Sequence, residues 1–188
     1  YSDSSIQIKD NKIFLLFIVD IPYDKQKLNP NIFVGVDLGI VTPAYLAISE
    51  GFGRLALGNK DEFLKIRMQM QRRRIQLQRG LKMTSGGKGR KKKMKGMDRL
   101  CDYEKNWVKT YNHTLSSQII KFAKVNCAGV IKMEFLEGFG KEEKNKFILR
   151  NWSYYQLQQL VKYKAEREGM KVIFIDPYHT SQTCACCG

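Results

Sequence analysis

The stretch 31–40 constrains the fold most, because it places a single acid, Asp37, in an otherwise apolar run, Asn-Ile-Phe-Val-Gly-Val-Asp-Leu-Gly-Ile. The β-branched and aromatic residues of this run predict a buried strand. A carboxylate buried in such a strand is costly unless it is paired or binds a metal ion. Taken alone, the segment would also suit an ordinary aspartate that caps the turn after a strand.

A second isolated acid favours the metal-binding interpretation. Glu134 lies in the apolar run 129–136, Gly-Val-Ile-Lys-Met-Glu-Phe-Leu. Divalent-metal phosphodiester chemistry needs strands that each deliver an acid, since carboxylates hold Mg²⁺ or Mn²⁺ while phosphate and water complete the shell. We therefore expect Asp37 and Glu134 to be the catalytic residues and metal ligands of an RNase H-like nuclease. For the third acid of such a site, Asp176 is a weaker candidate than a residue beyond the C-terminal end of this sequence.

The order of predicted elements indicates an α/β fold. The hydrophobic pattern predicts strands at about 12–21, 32–37, 40–48, 53–58, 129–136 and 170–176. Helical spacing predicts helices at about 61–79, 98–126 and 147–168, the last ended by Gly169. Three hairpin-linked strands followed by helix, strand, helix and strand is the order of an RNase H-like mixed sheet flanked by helices. The polar loop 137–146 would border the site as a lid.

The positive charge is concentrated in one segment. The formal net charge is +15, and residues 60–99 hold 15 Lys and Arg against three Asp and Glu. This excess predicts a polyanionic partner, with nucleic acid favoured over a membrane surface. Residues 82–95 are expected to be disordered without a ligand, either as a solvated segment or, as we favour, as a loop that orders on phosphates. The expected nucleic-acid-binding residues are Arg72, Arg73, Arg74, Arg79, Arg90, Lys91, Lys92, Lys93 and Lys95.

The five cysteines do not predict a disulfide framework, because their number is odd and the apolar run 13–21 lacks the flanks of a signal peptide. Cys101 and Cys127 are predicted to be buried apolar residues. Cys184 and Cys187 have the spacing of half a zinc site, in which Cys186 is not expected to be a ligand. A redox motif is the alternative for this pair. No apolar run is long enough to cross a bilayer, so we expect a cytosolic protein with no membrane partner.

Several segments together resemble the RuvC nuclease domain of TnpB transposon proteins and miniature type V CRISPR effectors. They are Gly-Val-Asp-Leu-Gly around Asp37, the basic helical insertion, Met-Glu-Phe-Leu around Glu134, and the runs 150–169 and 175–188. They occur in this order over residues 31–188. The resemblance implies an RNA-guided DNA endonuclease in which Asp37 and Glu134 are the first and second catalytic acids. It also implies that the third acid is an aspartate after the second cysteine pair of a zinc ribbon.

The same resemblance implies a domain organisation and a set of partners. Residues 1–30 would be the last strand of a preceding wedge-type domain plus a linker. Residues 31–182 would form the RuvC domain with a basic helical insertion at about 60–127, and 183–188 would begin a zinc ribbon. The expected cofactors are Mg²⁺ or Mn²⁺ and Zn²⁺. The expected partners in the prokaryotic cytosol are guide RNA and target DNA, with a homodimer on one guide RNA as a further assembly. We expect the chain to be part of a longer protein.

Two other functions remain open at this point. The first is a guided DNA-binding protein that has lost its nuclease activity, which would explain the missing third acid. The presence of two carboxylates in apolar strands nevertheless favours an enzyme, because such residues are unfavourable there without a role. A basic RNA-binding or ribosomal-type domain would explain the charge but neither acid.

Overall fold

The predicted mixed sheet is present, and two of its neighbouring strands carry Asp37 and Glu134. The computed structural model describes residues 4–9, 11–19, 28–39, 41–135 and 154–176. Its strands are β1 (Ser5–Lys9), β2 (Lys12–Leu16), β3 (Asn29–Asp37), β4 (Ala44–Ile48), β5 (Arg54–Leu57), β6 (Ala128–Glu134) and β7 (Lys171–Ile175). Its helices are α1 (Lys60–Lys82), α2 (Gly87–Val125) and α3 (Tyr154–Arg167).

The main sheet has five strands in the order β5-β4-β3-β6-β7. The pairs β3–β4 and β4–β5 are antiparallel, as expected for consecutive strands joined by short turns. Strand β6 runs parallel to both β3 and β7 and is reached through the two long helices. The carboxyl ends of β3, β6 and β7 therefore lie at one edge of the sheet.

The core lies on one face of the sheet. Val34 and Val36 of β3 are buried and pack in one apolar cluster with Ile119 of α2 and Leu157 of α3. Successive strand side chains point to opposite faces, so Asp37 lies on the other face and is exposed. The prediction that the Asp37 carboxylate is buried is therefore wrong, because the described helices cover only the face of Val34 and Val36.

The basic run forms helix where disorder was expected. Helix α1 continues to Lys82, and α2 starts at Gly87 after a short turn. Lysine, arginine and methionine are good helix formers, which outweighs the missing apolar periodicity. Two basic side chains also satisfy carbonyls at the end of α1, because Arg90 donates to the Leu81 and Thr84 oxygens and Lys93 donates to the Gly80 oxygen.

The N-terminal strands differ most from their predicted bounds. The predicted strand 12–21 is shorter, and β2 pairs with an unpredicted strand, β1, in a separate antiparallel hairpin. Strand β4 begins at Ala44 and not at 40, because residues 41–43 form a bend. Every side chain of the β1–β2 hairpin is exposed, which explains why burial patterning did not reveal β1.

The two described cysteines differ in burial, although both were predicted to be buried. Cys101 is half-buried, whereas Cys127 is exposed in the turn between α2 and β6 with a φ of 53°, so its predicted burial is wrong.

Gly169 follows α3 with a φ of 77°, as the sequence predicts for a glycine that ends a helix. Within the described residues, none of the helices combines the length and apolar character needed to span a bilayer.

Candidate active site

The parallel register of β3 and β6 brings the two predicted acids to neighbouring positions. The last paired residues of this ladder are Val36 and Met133. Asp37 and Glu134 each follow directly, and both end their strands. Adjacent strands lie about 4.8 Å apart, and residues at matching positions of parallel strands share a face. The fold therefore places one carboxylate beside the other.

The two acids line one shallow depression of about 380 Å³ on the open face of the sheet. Asp37 is exposed and Glu134 is half-buried. Lys132, two residues before Glu134, lines the same depression, with its ammonium nitrogen 3.6 Å from the centre of the Phe33 ring. A cation above an aromatic ring is held electrostatically, so Lys132 gives the depression a positive group close to the acids. Sequence reasoning missed this lysine.

Helix α3 contacts the end of β6 from the opposite face of the sheet. The amide nitrogen Nε2 of Gln158 donates a hydrogen bond to the backbone oxygen of Glu134. Gln158 is only 1% exposed, so this bond satisfies a polar group that would be costly to bury unpaired. Tyr154 lies one turn earlier on α3 and is also buried. Burial, together with the negative charge of Asp37, raises the pKa of Tyr154 to about 12.

Tyr154 and Gln158 were not identified as site residues from the sequence. The signal that identifies Gln158 is its spacing, because it lies four residues after Tyr154 and three before Val161 and so falls within the apolar stripe of α3. A lone polar residue in such a stripe indicates a specific buried partner. Here that partner is the end of the strand that carries Glu134.

The donor set at the strand ends is chemically suited to a hard divalent cation, since both side chains are carboxylates. Asp176 is exposed directly after β7, at the same edge of the sheet. Within the described ranges, however, no group of three or more His, Cys, Asp or Glu side chains is arranged to hold a metal ion. Asp176 therefore does not complete a three-acid group. The predicted loop 137–146 and the pair Cys184 and Cys187 lie outside the described residues.

A basic helical hairpin, residues 60–99 of α1 and α2, carries all nine cations predicted to bind nucleic acid. Three of them make internal contacts: Arg74 pairs with Glu104, and Arg90 and Lys93 bind carbonyls at the end of α1. The remaining six are exposed, and they are Arg72, Arg73, Arg79, Lys91, Lys92 and Lys95. Among the described residues, the structure shows no hydrogen bond or ion pair that these six side chains would have to give up to contact a ligand.

Comparison with known proteins gives a consistent result. A family model described as the TNB domain of Cas12f1-like proteins matches residues 154–188. The curated CRISPR-associated endodeoxyribonuclease Cas12f1 of Sulfoacidibacillus thermotolerans is 37% identical over 195 residues, which cover 100% of this chain and 46% of that protein. Over its whole length the chain is similar to miniature type V CRISPR effectors. A second relative, the Cas12f1 endodeoxyribonuclease of Syntrophomonas palmitatica, is 32% identical, with 100% of this chain and 39% of the relative covered.

A solved structure of a Cas12f1 protein has a similar fold. It is the cryo-electron microscopy structure of a Cas12f1–sgRNA–target DNA complex, with a TM-score of 0.73 at 28% identity. The match covers 89% of this chain and 33% of that protein chain. The mixed α/β fold is thus shared with Cas12f1. The chain spans less than half the length of both curated relatives.

Proposed function

We propose that the chain is the nuclease part of an RNA-guided DNA endonuclease that hydrolyses phosphodiester bonds with Mg²⁺ or Mn²⁺. The observation that carries this proposal is the parallel register that sets Asp37 beside Glu134 at the ends of β3 and β6. The names of the curated relatives support DNA as the substrate, since both are called endodeoxyribonucleases.

The strand order supports an RNase H-like, RuvC-type domain. Three antiparallel strands are followed by two that join the sheet in parallel beside the first of them. In this proposal residues 31–182 are the nuclease domain and 60–127 its basic helical insertion. Residues 1–30 end a preceding wedge-type module, which suits the separate β1–β2 hairpin. Residues 183–188 begin a zinc ribbon, with Cys184 and Cys187 as two of its ligands.

The site residues have distinct roles in this reaction. Asp37 and Glu134 would hold the divalent ion, which when bound polarises the phosphate and lowers the pKa of water. Lys132 supplies a positive charge in the same depression, where a DNA phosphate would lie. Gln158 fixes the end of β6 through its bond to the Glu134 backbone, so the carboxylate of Glu134 starts from a defined position.

The exposed cations of the basic helical hairpin would bind the phosphates of guide RNA and target DNA. Phosphate contacts give affinity without sequence information, and in guided systems base pairing between RNA and DNA selects the target. The solved complex with a similar fold contains sgRNA and target DNA, which supports these two partners. A homodimer on one guide RNA is part of the same proposal.

A guided DNA-binding protein without nuclease activity is the second candidate. The observation that favours it is that the described residues do not supply a group of three acids. The deciding experiment uses the full-length natural protein with guide RNA, target DNA and Mg²⁺. Cleavage that a chelator abolishes supports the nuclease. Guided binding with no cleavage supports the second candidate, and the absence of guided binding contradicts both.

Replacing Gln158 with Leu is expected to raise the Mg²⁺ concentration needed for half-maximal cleavage by about tenfold, the lower end for groups that orient a metal ligand. The change removes the donor to the Glu134 backbone oxygen. It replaces the buried amide with an apolar side chain of similar size. Gln159→Leu is the matched control, because Gln159 is exposed on the same helix. A lower melting temperature with an unchanged Mg²⁺ dependence would show that Gln158 only stabilises the fold.

A further inference from the structure

A second hollow lies between α1 and α2, away from the two acids. Its volume is about 570 Å³, within the range of roughly 300 to 1,000 Å³ that small-ligand pockets occupy. Leu77 and Leu100 form its apolar floor. Its polar and aromatic lining comes from Arg73, Gln76, Lys93, Arg99 and Tyr103. The hollow thus combines an apolar interior with a cationic rim.

Two helical glycines keep this hollow open. Gly80 of α1 and Gly96 of α2 both line it. Glycine is one of the least favourable residues in a helix interior, so each position needs an explanation. Close helix packing does not explain either residue: a Cβ at Gly80 would lie 3.9 Å from the Lys93 ammonium nitrogen, and one at Gly96 would lie 3.7 Å from Leu77 Cδ2. These are ordinary contacts, so a Cβ at either position would fit without forcing the helices apart.

The side chains around the hollow match one class of ligand. Tyr103 is 58% exposed and offers a ring on which a planar group stacks. Arg73 and Arg99 are exposed at the rim, where their guanidinium groups suit phosphate oxygens. The surrounding segment 60–99 carries 15 basic against three acidic residues. Its positive potential attracts an anionic ligand and does not attract a neutral or cationic one.

We propose that this hollow binds an unpaired nucleotide of a single-stranded nucleic acid. The base lies on Leu77 and Leu100 beside the Tyr103 ring, and its flanking phosphates bind Arg73 and Arg99. Stacking on aromatic side chains together with a cationic groove is the general way in which single strands are held without sequence preference. The inference rests on the proposed nucleic-acid-binding function and adds a base-binding site to it. Guide RNA and DNA are the two sources of such a nucleotide.

The test fills the hollow from Gly96 in the full-length natural protein. Gly96→Leu projects a side chain into the hollow, and Gly89→Leu is the matched control because a Cβ at Gly89 meets nothing within 4 Å on the same helix. The probes are labelled oligouridylate and oligothymidylate strands and abasic strands of the same length and charge. The measured quantity is the ratio of the dissociation constants for abasic and base-containing strands.

The wild-type protein and Gly89→Leu are expected to bind base-containing strands roughly tenfold more tightly than abasic strands. Gly96→Leu is expected to bring this ratio close to one, with a melting temperature at or above that of wild type. A larger ratio for the ribose strand assigns the site to guide RNA, and a larger ratio for the deoxyribose strand assigns it to DNA.

Other results would contradict the proposed base-binding site. A folded Gly96→Leu that keeps the wild-type ratio overturns the inference. If Gly96→Leu fails to fold, Tyr103→Ala removes the exposed ring instead, and an unchanged ratio there overturns the inference in the same way. A wild-type protein that binds abasic and base-containing strands equally overturns the base site while the proposed function stands. A wild-type protein that binds neither strand contradicts both.

Discussion

Full-length protein with Asp37→Asn or Glu134→Gln is expected to lose DNA cleavage by more than about a hundredfold, since even groups that only orient a metal ligand cost 10- to 100-fold when replaced. Each substitution keeps the size of the side chain but removes the charge that holds a divalent cation. Guided DNA binding is expected to persist, because the cations that we propose to bind phosphates lie on α1 and α2, away from the two acids. Cleavage rate and target affinity are measured on the same preparations.

Glu166→Gln is the matched control for this pair of variants. It removes an exposed acid from α3, the helix that supports the site, without touching the strand ends. Its cleavage rate is expected to equal that of wild type. Near wild-type cleavage by either Asp37→Asn or Glu134→Gln would instead remove that residue from the active site.

Replacing Lys91, Lys92 and Lys95 with Gln is expected to weaken nucleic-acid binding for all sequences and to reduce the salt slope by about two to three. All three side chains are exposed at the start of α2. Lys93 is left unchanged, because its ammonium group donates to the Gly80 oxygen and supports the turn between the helices. The melting temperature is therefore expected to stay the same. The measurement is the dissociation constant as a function of salt concentration.

The control separates a local phosphate contact from a simple loss of net charge. Lys105, Lys109 and Lys121 are exposed further along the same helix, so their replacement with Gln changes the net charge equally. This variant is expected to keep most of the wild-type salt slope. Equal slopes in the two triple variants would show that the basic start of α2 does not contact phosphates.

The sheet was predictable because its core strands have a strong local signal. Val34 and Val36 are buried and alternate with less buried neighbours, and β6 repeats this pattern before Glu134. The sequence could not show which face of the sheet the helices cover, since that depends on long-range packing. For this reason Asp37 was expected to be buried and is exposed.

The helical start of α2 and the role of Gln158 were harder to predict from the sequence. The residues from Gly87 to Lys95 have helix-forming side chains but no apolar stripe, so periodicity alone indicated a loop. Gln158 was missed because its partner is a backbone oxygen at the end of β6, and backbone acceptors leave no trace in side-chain patterns. The helical start of α2 instead reflects helix propensity and bonds to the nearby end of α1, which an apolar stripe does not report.

The position of Mn²⁺ in crystals of the full-length protein, located by its anomalous scattering, tests whether the ends of β3 and β6 form one metal site. We expect a Mn²⁺ ion within about 2.3 Å of carboxylate oxygens from both Asp37 and Glu134, close to the range of hard divalent ions with oxygen ligands. Such an ion would join the ends of β3 and β6. An ion bound by only one of these acids, or by neither, would contradict the claim that the two strands share one metal-dependent active site.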